Sequence, residues 1–489
     1  MTDIQIHHGN CLDILPTLPD CSVDSIVTDP PYGLEFMGKD WDAPWKKSGD
    51  VIADPASVGG FQDGAGGNPF SRSRIRYGRE GTAMIGFQQW CEQWAAECLR
   101  VLKPGGHLLA FGGTRTYHRM AVAIEDAGFE IRDSLHWIYG SGFPKSLNLS
   151  KTLDKMAGAP VKIGKAFKVA GEYGERDLRD PEKQGLDRDE MRHEAVTKQA
   201  KQWGGWGTAL KPAHEPIVVA RKPLVGTVAG NVLQYGTGAL NIDGARVGRA
   251  DNDVSHAGQR TATFGTQDTI SGGDGSGGWE QNTAGRWPAN IILTHNHDCE
   301  DICTDGCPVR ELDRQSGTSR SQGGRIGKKE HGAIAIGGAG TFKAGDPGYG
   351  DVGGASRFFT VTEWDVPFRY VAKPGKKERN AGLDHLPAKK NAGSYEFRPD
   401  GSLDGKKTEP KTNHHPTVKP LALMRWLVRL VTPPNGTVLE PFAGSGTTLV
   451  ACHLENFNAI GIEMTDEYLP IIEGRLAWAR EQTEQQQLL

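Results

Sequence analysis

Three things are scarce in this chain of 489 residues: net charge, paired cysteines and long apolar runs. Lys and Arg number 56 against 60 Asp and Glu, a net charge of −4. That excludes a histone-like polycation, but not a local basic cleft, because local charge governs affinity for nucleic acid. The eight cysteines stand at 11, 21, 91, 98, 299, 303, 307 and 452, five of them singly in ordinary segments. This is no disulfide framework, and a reducing cytoplasm is the expected setting. No run approaches the ~18–20 apolar residues of a membrane span. The first residues, MTDIQIHHGN, lack the basic and then apolar pattern of a secretory signal. No membrane partner is expected.

Glycine is the residue in excess. Its 65 copies are about 13% of the chain, against a usual ~7%. The length allows about three domain-sized pieces or one elaborated catalytic domain. Residues 1–145 read as alternating strands and helices. Residues 23–28 form a β-branched run that two prolines end, since proline lacks a ladder donor. Residues 87–102 carry Phe87, Trp90, Trp94, Cys98 and Leu102 at helical spacing. A strand over 107–111, a helix over 114–127 and a strand over 129–138 follow. Residues 436–440 predict a strand, 447–456 a helix, 458–463 a strand, and the chain ends in a helix rich in Glu and Gln.

Strands alternating with helices at both ends imply α/β architecture, one doubly wound, mainly parallel sheet. Each end is too small to be stable alone, so 1–145 and 413–489 are expected to be halves of one domain. The stretch 146–412 would be a glycine-rich insertion. It holds 28 Gly between 226 and 354, among them the run 271–278, and has the composition of loop. It is locally basic, with 16 Lys and Arg against 11 acids over 145–222, and 10 against 6 over 371–416. That charge is either a solvated surface or a phosphate-facing wall.

Two motifs carry chemistry. In Glu440-Pro441-Phe442-Ala443-Gly444-Ser445-Gly446-Thr447-Thr448, glycines between a strand and a helix let backbone approach a ligand. Glu463 ends the next strand, where an acid can accept hydrogen bonds from ribose hydroxyls. An ordinary strand–helix turn is the alternative. No phosphate loop ending in Gly-Lys-Ser/Thr is present, which argues against a triphosphate ligand. In Thr28-Asp29-Pro30-Pro31-Tyr32-Gly33, the prolines hold a rigid loop. The Asp29 carboxylate and the Pro30 carbonyl can both accept from an exocyclic amine, and Tyr32 offers a face for stacking on a base. A rigid turn in a core is the alternative here.

Together these residues resemble the DNA amino-methyltransferases, which move a methyl group from S-adenosylmethionine to adenine N6 or cytosine N4. Asp29, Pro30, Pro31 and Tyr32 match the family's catalytic motif, Pro441 to Gly446 its cofactor loop, and Glu463 its ribose-binding acid. His415-Pro416-Thr417-Val418-Lys419-Pro420 matches the segment preceding that loop. The catalytic motif comes first, as in the β arrangement, in which the middle includes the target-recognition region. Three further stretches are similar to phage and prophage members: 137–146, 211–216 and 236–242. Two positions depart from the pattern: Glu440 stands where Asp is usual, and Gly9-Asn10 replaces Gly-Asp.

The resemblance implies a Rossmann-like fold and catalysis by Asp29, Pro30, Pro31 and Tyr32. It implies cofactor contacts from Asn10, Asp29, Lys419, Glu440, Pro441, Phe442, Gly444, Ser445, Gly446, Thr447 and Glu463. The implied partner is double-stranded DNA whose target base is flipped out. Asp before Pro-Pro-Tyr favours adenine N6, since cytosine-N4 members more often carry Ser. A non-catalytic DNA-binding module that kept the fold is a second reading. The resemblance leaves room for a cognate restriction endonuclease and a homodimer.

His295, Cys299, Cys303 and Cys307 are the cluster with zinc-type ligands. Their spacing differs from C-x₂-C pairs, so a loop of unliganded thiols is the leading expectation and a structural zinc the lesser one. The contiguous letters His295-Asn296-His297 do not make a nuclease. Trp203, Trp206, Trp279 and Trp287 are expected to pack loops rather than stack on bases.

Overall fold

Val23–Thr28 (β2) is buried at every position, as a strand covered on both faces must be. It lies near the middle of a nine-stranded sheet in a computed structural model of the chain. Residues 2–33, 81–139, 146–159, 162–163, 193–246, 287–293, 307–320, 352–353, 355, 360–361, 376–388, 395–397, 403–405 and 412–487 are described. The other strands are β1 (Ile4–His8), β3 (Leu102–Phe111), β4 (Glu130–Ile138), β5 (His214–Arg221), β6 (Ile291–Leu293), β7 (Thr360–Val361), β8 (Thr437–Glu440) and β9 (Asn458–Glu463). Their spatial order is β1-β9-β8-β2-β3-β5-β4-β6-β7. Every pairing is parallel except those of β5, which runs against both β3 and β4.

The strands alternate between two cores with the period of two that a strand imposes. Leu108 and Ala110 of β3 face one core, and Leu109 and Phe111 the other. Val218 and Ala220 of β5 join the first, Ile217 and Val219 the second. The first core is covered by α1 (Gly81–Val101) and α2 (Tyr117–Asp126) through Phe87, Trp94, Cys98, Met120 and Ile124. The second is covered by α3 (Leu421–Val431), α4 (Thr447–Leu454) and α5 (Leu469–Gln487). The sheet is therefore doubly wound, with strands from both chain ends side by side in it. The central cysteines are core residues: Cys11, Cys91, Cys98 and Cys452 are buried free thiols, and burial pushes that of Cys11 up to about 12.

Two expectations need correction. The stretch 146–412 is not inserted throughout, because it contributes β5 to the centre of the sheet. Ile217, Val218, Val219 and Ala220 are apolar on both sides, which suits an interior strand. The helix expected from 114 begins at Tyr117. Residues 113–116 are a turn instead, in which Thr116 and Tyr117 N–H groups donate to the Gly113 carbonyl.

The chain divides into two compact units: Met1–Gly140 with His214–Leu489, which holds the sheet, and Ser141–Ala213. The smaller unit pairs a helix over Leu149–Met156 with one over Lys198–Gln202. Asp154, buried, accepts from the Val196 N–H at 2.8 Å and the Thr197 N–H at 2.9 Å and so joins them. Trp203 and Trp206 lie edge to face at 5.0 Å, 38% and 60% exposed. Trp287, in the larger unit, is exposed with the Arg246 guanidinium 5.7 Å from its ring centre. Cys307 is buried with Leu293 and Val309 just before a helix over Pro308–Ser316. His295, Cys299, Cys303, Trp279 and the run 271–278 lie outside the described residues.

Buried Asp24 ties three strands together at the edge away from their C-terminal ends. It accepts from Lys103 Nζ at 2.6 Å and from the Thr437 N–H at 2.8 Å. Asp24→Ala strands the Thr437 donor. It is expected to lower the unfolding free energy by about 1–3 kcal/mol in chemical denaturation, because a buried donor loses its partner.

Candidate active site

The C-terminal ends of β2, β8 and β9 lie side by side, and each opens into a loop that carries a motif. In such sheets ligands bind outside the carboxyl ends, where the strand order reverses. Here β8 is followed outward by β9 and β2 by β3, so the reversal falls between β8 and β2. Glu440 bridges it. The Glu440 side chain is 2% exposed and accepts from the Thr28 hydroxyl at the end of β2. It also accepts from the Phe442 N–H at 3.1 Å and the Thr448 hydroxyl at 2.6 Å. Its carboxyl is thus turned inward, and it shapes the cofactor loop instead of facing it. The extra methylene relative to Asp lets it reach Thr28 of the neighbouring strand.

The glycine loop is a cradle. Gly444 has φ +55° and Gly446 φ +74°, a backbone that favours glycine. A Cβ on Gly444 would lie 2.9 Å from His415 Nε2, and one on Gly446 2.9 Å from Ile472 Cγ2. The Gly444 N–H donates to Glu463 Oε2 at 2.7 Å, and the Thr465 N–H to Glu463 Oε1 at 2.7 Å. Burial raises the Glu463 carboxyl, and those backbone donors oppose the rise. A carboxylate oxygen can accept more than one hydrogen bond, so a ligand hydroxyl could add to these. Phe442 is part-buried, packed on Trp90 at 5.6 Å and Trp94 at 5.7 Å. Ser445 and Thr447, expected to meet the cofactor, point inward: Arg475 Nη1 donates to the Ser445 hydroxyl at 3.0 Å and to Thr447 Oγ1 at 2.8 Å. Asn10 is exposed at the end of β1, where its Oδ1 accepts the Leu12 N–H at 3.2 Å. The Gly9 N–H donates to the Glu463 carbonyl at 3.0 Å, so Asn10 is held beside the ribose-type acid.

The Asp-Pro-Pro-Tyr loop is fixed just as firmly. Thr116 Oγ1 donates to the Tyr32 carbonyl at 2.7 Å. Gly33, at φ +69°, lets Phe87 close in, and a Cβ there would lie 2.8 Å from its ring. Lys419, 7% exposed and expected at the cofactor, reaches the Asp-Pro-Pro-Tyr loop with its ammonium. Its ammonium donates to Asp29 Oδ2 at 2.6 Å and to the Tyr32 hydroxyl at 3.1 Å, and lies 3.3 Å from Glu215 Oε2. The Tyr32 hydroxyl donates to Glu215 Oε2 at 3.0 Å. The ammonium also sits 4.8 Å from the centre of the Phe111 ring. Asp29 Oδ1 is buried and has no hydrogen-bond partner among the described residues.

The charges follow from this arrangement. Burial pushes the Asp29 carboxyl up from its ordinary value, Lys419 pulls it back, and Glu215 adds to the rise. Burial, then Asp29 and Glu215, hold the Tyr32 phenol well above its ordinary value. Burial works against the Lys419 ammonium, but the two carboxylates outweigh it and its pKa is raised.

The sequence reading missed Glu215, although it lies in the stretch 211–216 that looked family-like. It also missed Glu378, Arg379 and Arg475, which brace the site from behind. Arg379 donates to the His415 carbonyl at 2.6 Å, and Glu378 accepts the Leu421 N–H at 2.8 Å, capping α3 where Pro420 cannot. His414 and His415 are packed on Tyr468, and no group of three metal-type ligands occurs among the described residues.

The sequence profile of the N6/N4 DNA methylases matches residues 23–239 and 319–474, more than half of the chain, and takes in the catalytic loop, the cofactor loop and Glu463. The chain belongs to this DNA methylase family. S-adenosylmethionine is the family's cofactor, and the residues fit it. The Gly444–Gly446 cradle suits close backbone approach, the Glu463 carboxylate could accept from a ribose hydroxyl, and Asp29 Oδ1 is buried without a partner among the described residues.

Among curated relatives, the type II methyltransferase M.HindIII of Haemophilus influenzae is 25% identical over 250 residues, 48% of this chain and 64% of that protein. M.SmaI of Serratia marcescens is 41% identical over 69 residues, 14% of this chain and 24% of that protein. This methylase chain thus spans less than two thirds of the length of these relatives. Among solved structures, the cytosine-N4-specific PvuII DNA methyltransferase is 11% identical with a TM-score of 0.38, covering 96% of this chain and 85% of that one.

The buried bridge across the methylase sheet makes stability depend on pH. Burial pushes the Glu440 carboxyl up to about 8 against its three hydrogen bonds, from an ordinary 4.5. The folded state therefore holds this proton more tightly than the unfolded chain. The stabilisation is fully present below 4.5 and is lost as pH rises through about 8. The melting temperature of the wild type is expected to fall between about pH 5 and 8 more steeply than that of Glu440→Gln. Equal slopes in calorimetry would show that Glu440 is ionised throughout.

Proposed function

We propose that this methylase transfers a methyl group from S-adenosylmethionine to the N6 amine of adenine in double-stranded DNA. The observation that carries the reading is the buried, unpartnered Asp29 Oδ1, held by a rigid loop at the sheet edge that also carries the glycine cradle and Glu463. Glu463 would hold the ribose hydroxyls, and the main chain of residues 441–446 would line the rest. Bound there, S-adenosylmethionine supplies a methyl group on a positively charged sulfur.

A base inside a duplex hides its amine, so the target nucleotide is flipped out, at a cost of a few kcal/mol. Tyr32 stacking offsets part of this, at about 1–3 kcal/mol per base. The amine lone pair is delocalised into the ring. Hydrogen bonds to Asp29 Oδ1 and the Pro30 carbonyl favour a more tetrahedral nitrogen with its lone pair exposed. The nitrogen would take the methyl carbon as the carbon–sulfur bond breaks and neutral S-adenosylhomocysteine leaves; it would gain positive charge and then shed a proton, for which Asp29 Oδ1 is the acceptor at hand. Positioning and electrostatics carry the reaction, and no protein nucleophile is required.

Adenine is favoured over cytosine because Asp29 leads the Pro-Pro-Tyr. Target recognition is assigned to the region between the two motifs, 146–412, less the β5 strand. The same reading puts the enzyme in the cytoplasm of a bacterial or phage-infected cell, with a cognate restriction endonuclease as a candidate partner.

The test uses plasmid from a methylation-deficient host expressing the chain, digested to nucleosides for mass spectrometry and mapped by single-molecule sequencing. N6-methyladenine at one short motif is expected, and none with Asp29→Ala. N4-methylcytosine would overturn the base but keep the mechanism. No modified base would leave a DNA-binding module.

In calorimetry Asp29→Ala is expected to bind S-adenosylmethionine nearly as tightly as the wild type; equal loss of binding and activity would make Asp29 structural. Tyr32→Ala is expected to lower the rate more than Tyr32→Phe, since only the former removes the stacking face; equal rates would refute stacking.

A further inference from the structure

Lys419 has three N–H donors and three oxygens around it: Asp29 Oδ2 at 2.6 Å, the Tyr32 hydroxyl at 3.1 Å and Glu215 Oε2 at 3.3 Å. One cation thus faces two carboxylates. The side chains of Lys419, Asp29 and Glu215 are 8%, 17% and 15% exposed, so water screens them little. An Asp29–Lys419 pair alone would be neutral, and a neutral pair offers little to a nitrogen that is becoming positive. Glu215 is the group that leaves the cluster negative.

Its place is a consequence of topology. β5 is the reversed strand, so its first residues arrive at the edge where the parallel strands end, and Glu215 stands opposite Trp137 of β4. Glu215 reaches Asp29 through Lys419 and the Tyr32 hydroxyl. This makes it a positioning residue rather than a catalytic one.

We propose that Glu215 tunes Asp29 for methyl transfer: by drawing on Lys419, it keeps Asp29 Oδ1 electron-rich and the pocket net negative, matched to the charge that develops on the amine nitrogen. It also holds the Tyr32 hydroxyl, and with it the stacking ring. This rests on the methyltransferase reading above. The charged and titratable groups facing this cluster are Lys419, Tyr32, Glu440, Tyr139 and His415, beside Asp29 and Glu215 themselves. Of these, Lys419 lowers the Asp29 carboxyl and Glu215 raises it. The acceptor works only as the carboxylate, so activity is lost as pH falls through the Asp29 pKa. Removing the Glu215 charge lowers that pKa and moves the acid limb of kcat to lower pH.

The experiment measures kcat, KM and the pH profile of the full chain on duplex DNA carrying the mapped site, with S-adenosylmethionine labelled in the methyl group. Glu215→Gln, which keeps the shape and an acceptor for Tyr32, is expected to lower kcat by about 10²-fold. KM for DNA and for the methyl donor should change little. Its acid limb should move down by about one pH unit or more. Glu215→Asp keeps the charge and should return the limb towards its wild-type position. Tyr32→Phe removes a hydroxyl that lowers the Asp29 carboxyl and keeps both carboxylates, so its limb should move up, opposite to that of Glu215→Gln.

An active wild type with the same kcat and acid limb in Glu215→Gln overturns the inference and leaves the methyltransferase reading intact. A wild type that methylates nothing overturns the reading itself. If Glu215→Gln does not fold, Tyr32→Phe and Glu215→Asp decide. A limb that stays near its wild-type place in Glu215→Asp and moves up in Tyr32→Phe supports the charge; a limb that moves down in Tyr32→Phe, which keeps both carboxylates, means that the hydrogen bond, not the charge, sets Asp29.

Discussion

The pairing of β2 with β8 is the contact on which the rest of the molecule depends. It joins segments more than 400 residues apart, and the Thr28–Glu440 hydrogen bond closes it at the C-terminal edge. Without it the Asp-Pro-Pro-Tyr loop and the glycine loop would each be a tight turn at the end of a strand. With it they flank one crevice at the point where the strand order reverses. Asp24 fastens the same pair at the opposite edge through the Thr437 N–H. The two acids bracket the junction, one on a backbone donor and one on two hydroxyls.

Chemistry at the crevice is built from groups that cannot relax. Prolines fix the Asp-Pro-Pro-Tyr loop, glycines shape the loop over 441–446, Arg475 holds that loop at Ser445, and Arg379 and Glu378 hold the chain at His415 and Leu421. A buried Lys419 between two carboxylates is costly to assemble, because each charge leaves water. Its compensation is three acceptors within 3.3 Å, together with the faces of Phe111 and Tyr32. Hydrogen bonds within the protein hold such a cluster in place. That is what lets electrostatics act on a transition state without reorganisation.

Much of the site was legible because its signals are local. Two prolines after a β-branched run end a strand wherever it lies, and glycines between a strand and a helix mark a loop that backbone can line. Asp29, Tyr32, Gly444, Gly446 and Glu463 stand where those rules put them. Side-chain direction was less legible. Ser445 and Thr447 carry hydroxyls in the cofactor loop, yet both face Arg475, which lies 28 to 30 residues further along the chain. Lys419 belongs to a segment near the cofactor loop in sequence, yet its long stem carries the charge to Asp29.

The sequence by itself determined the α/β alternation, the two motif loops and the residue types that could perform methyl transfer. Strand period, proline geometry and glycine freedom act within a few residues and need no partner. Tertiary structure alone decided that β5 enters the sheet in reverse and that Glu215 therefore joins Asp29 and Lys419. Strand pairing and burial are properties of neighbours in space. A short apolar run reads the same whether it pairs parallel or antiparallel, and only the direction of pairing decides which of its ends meets the active site.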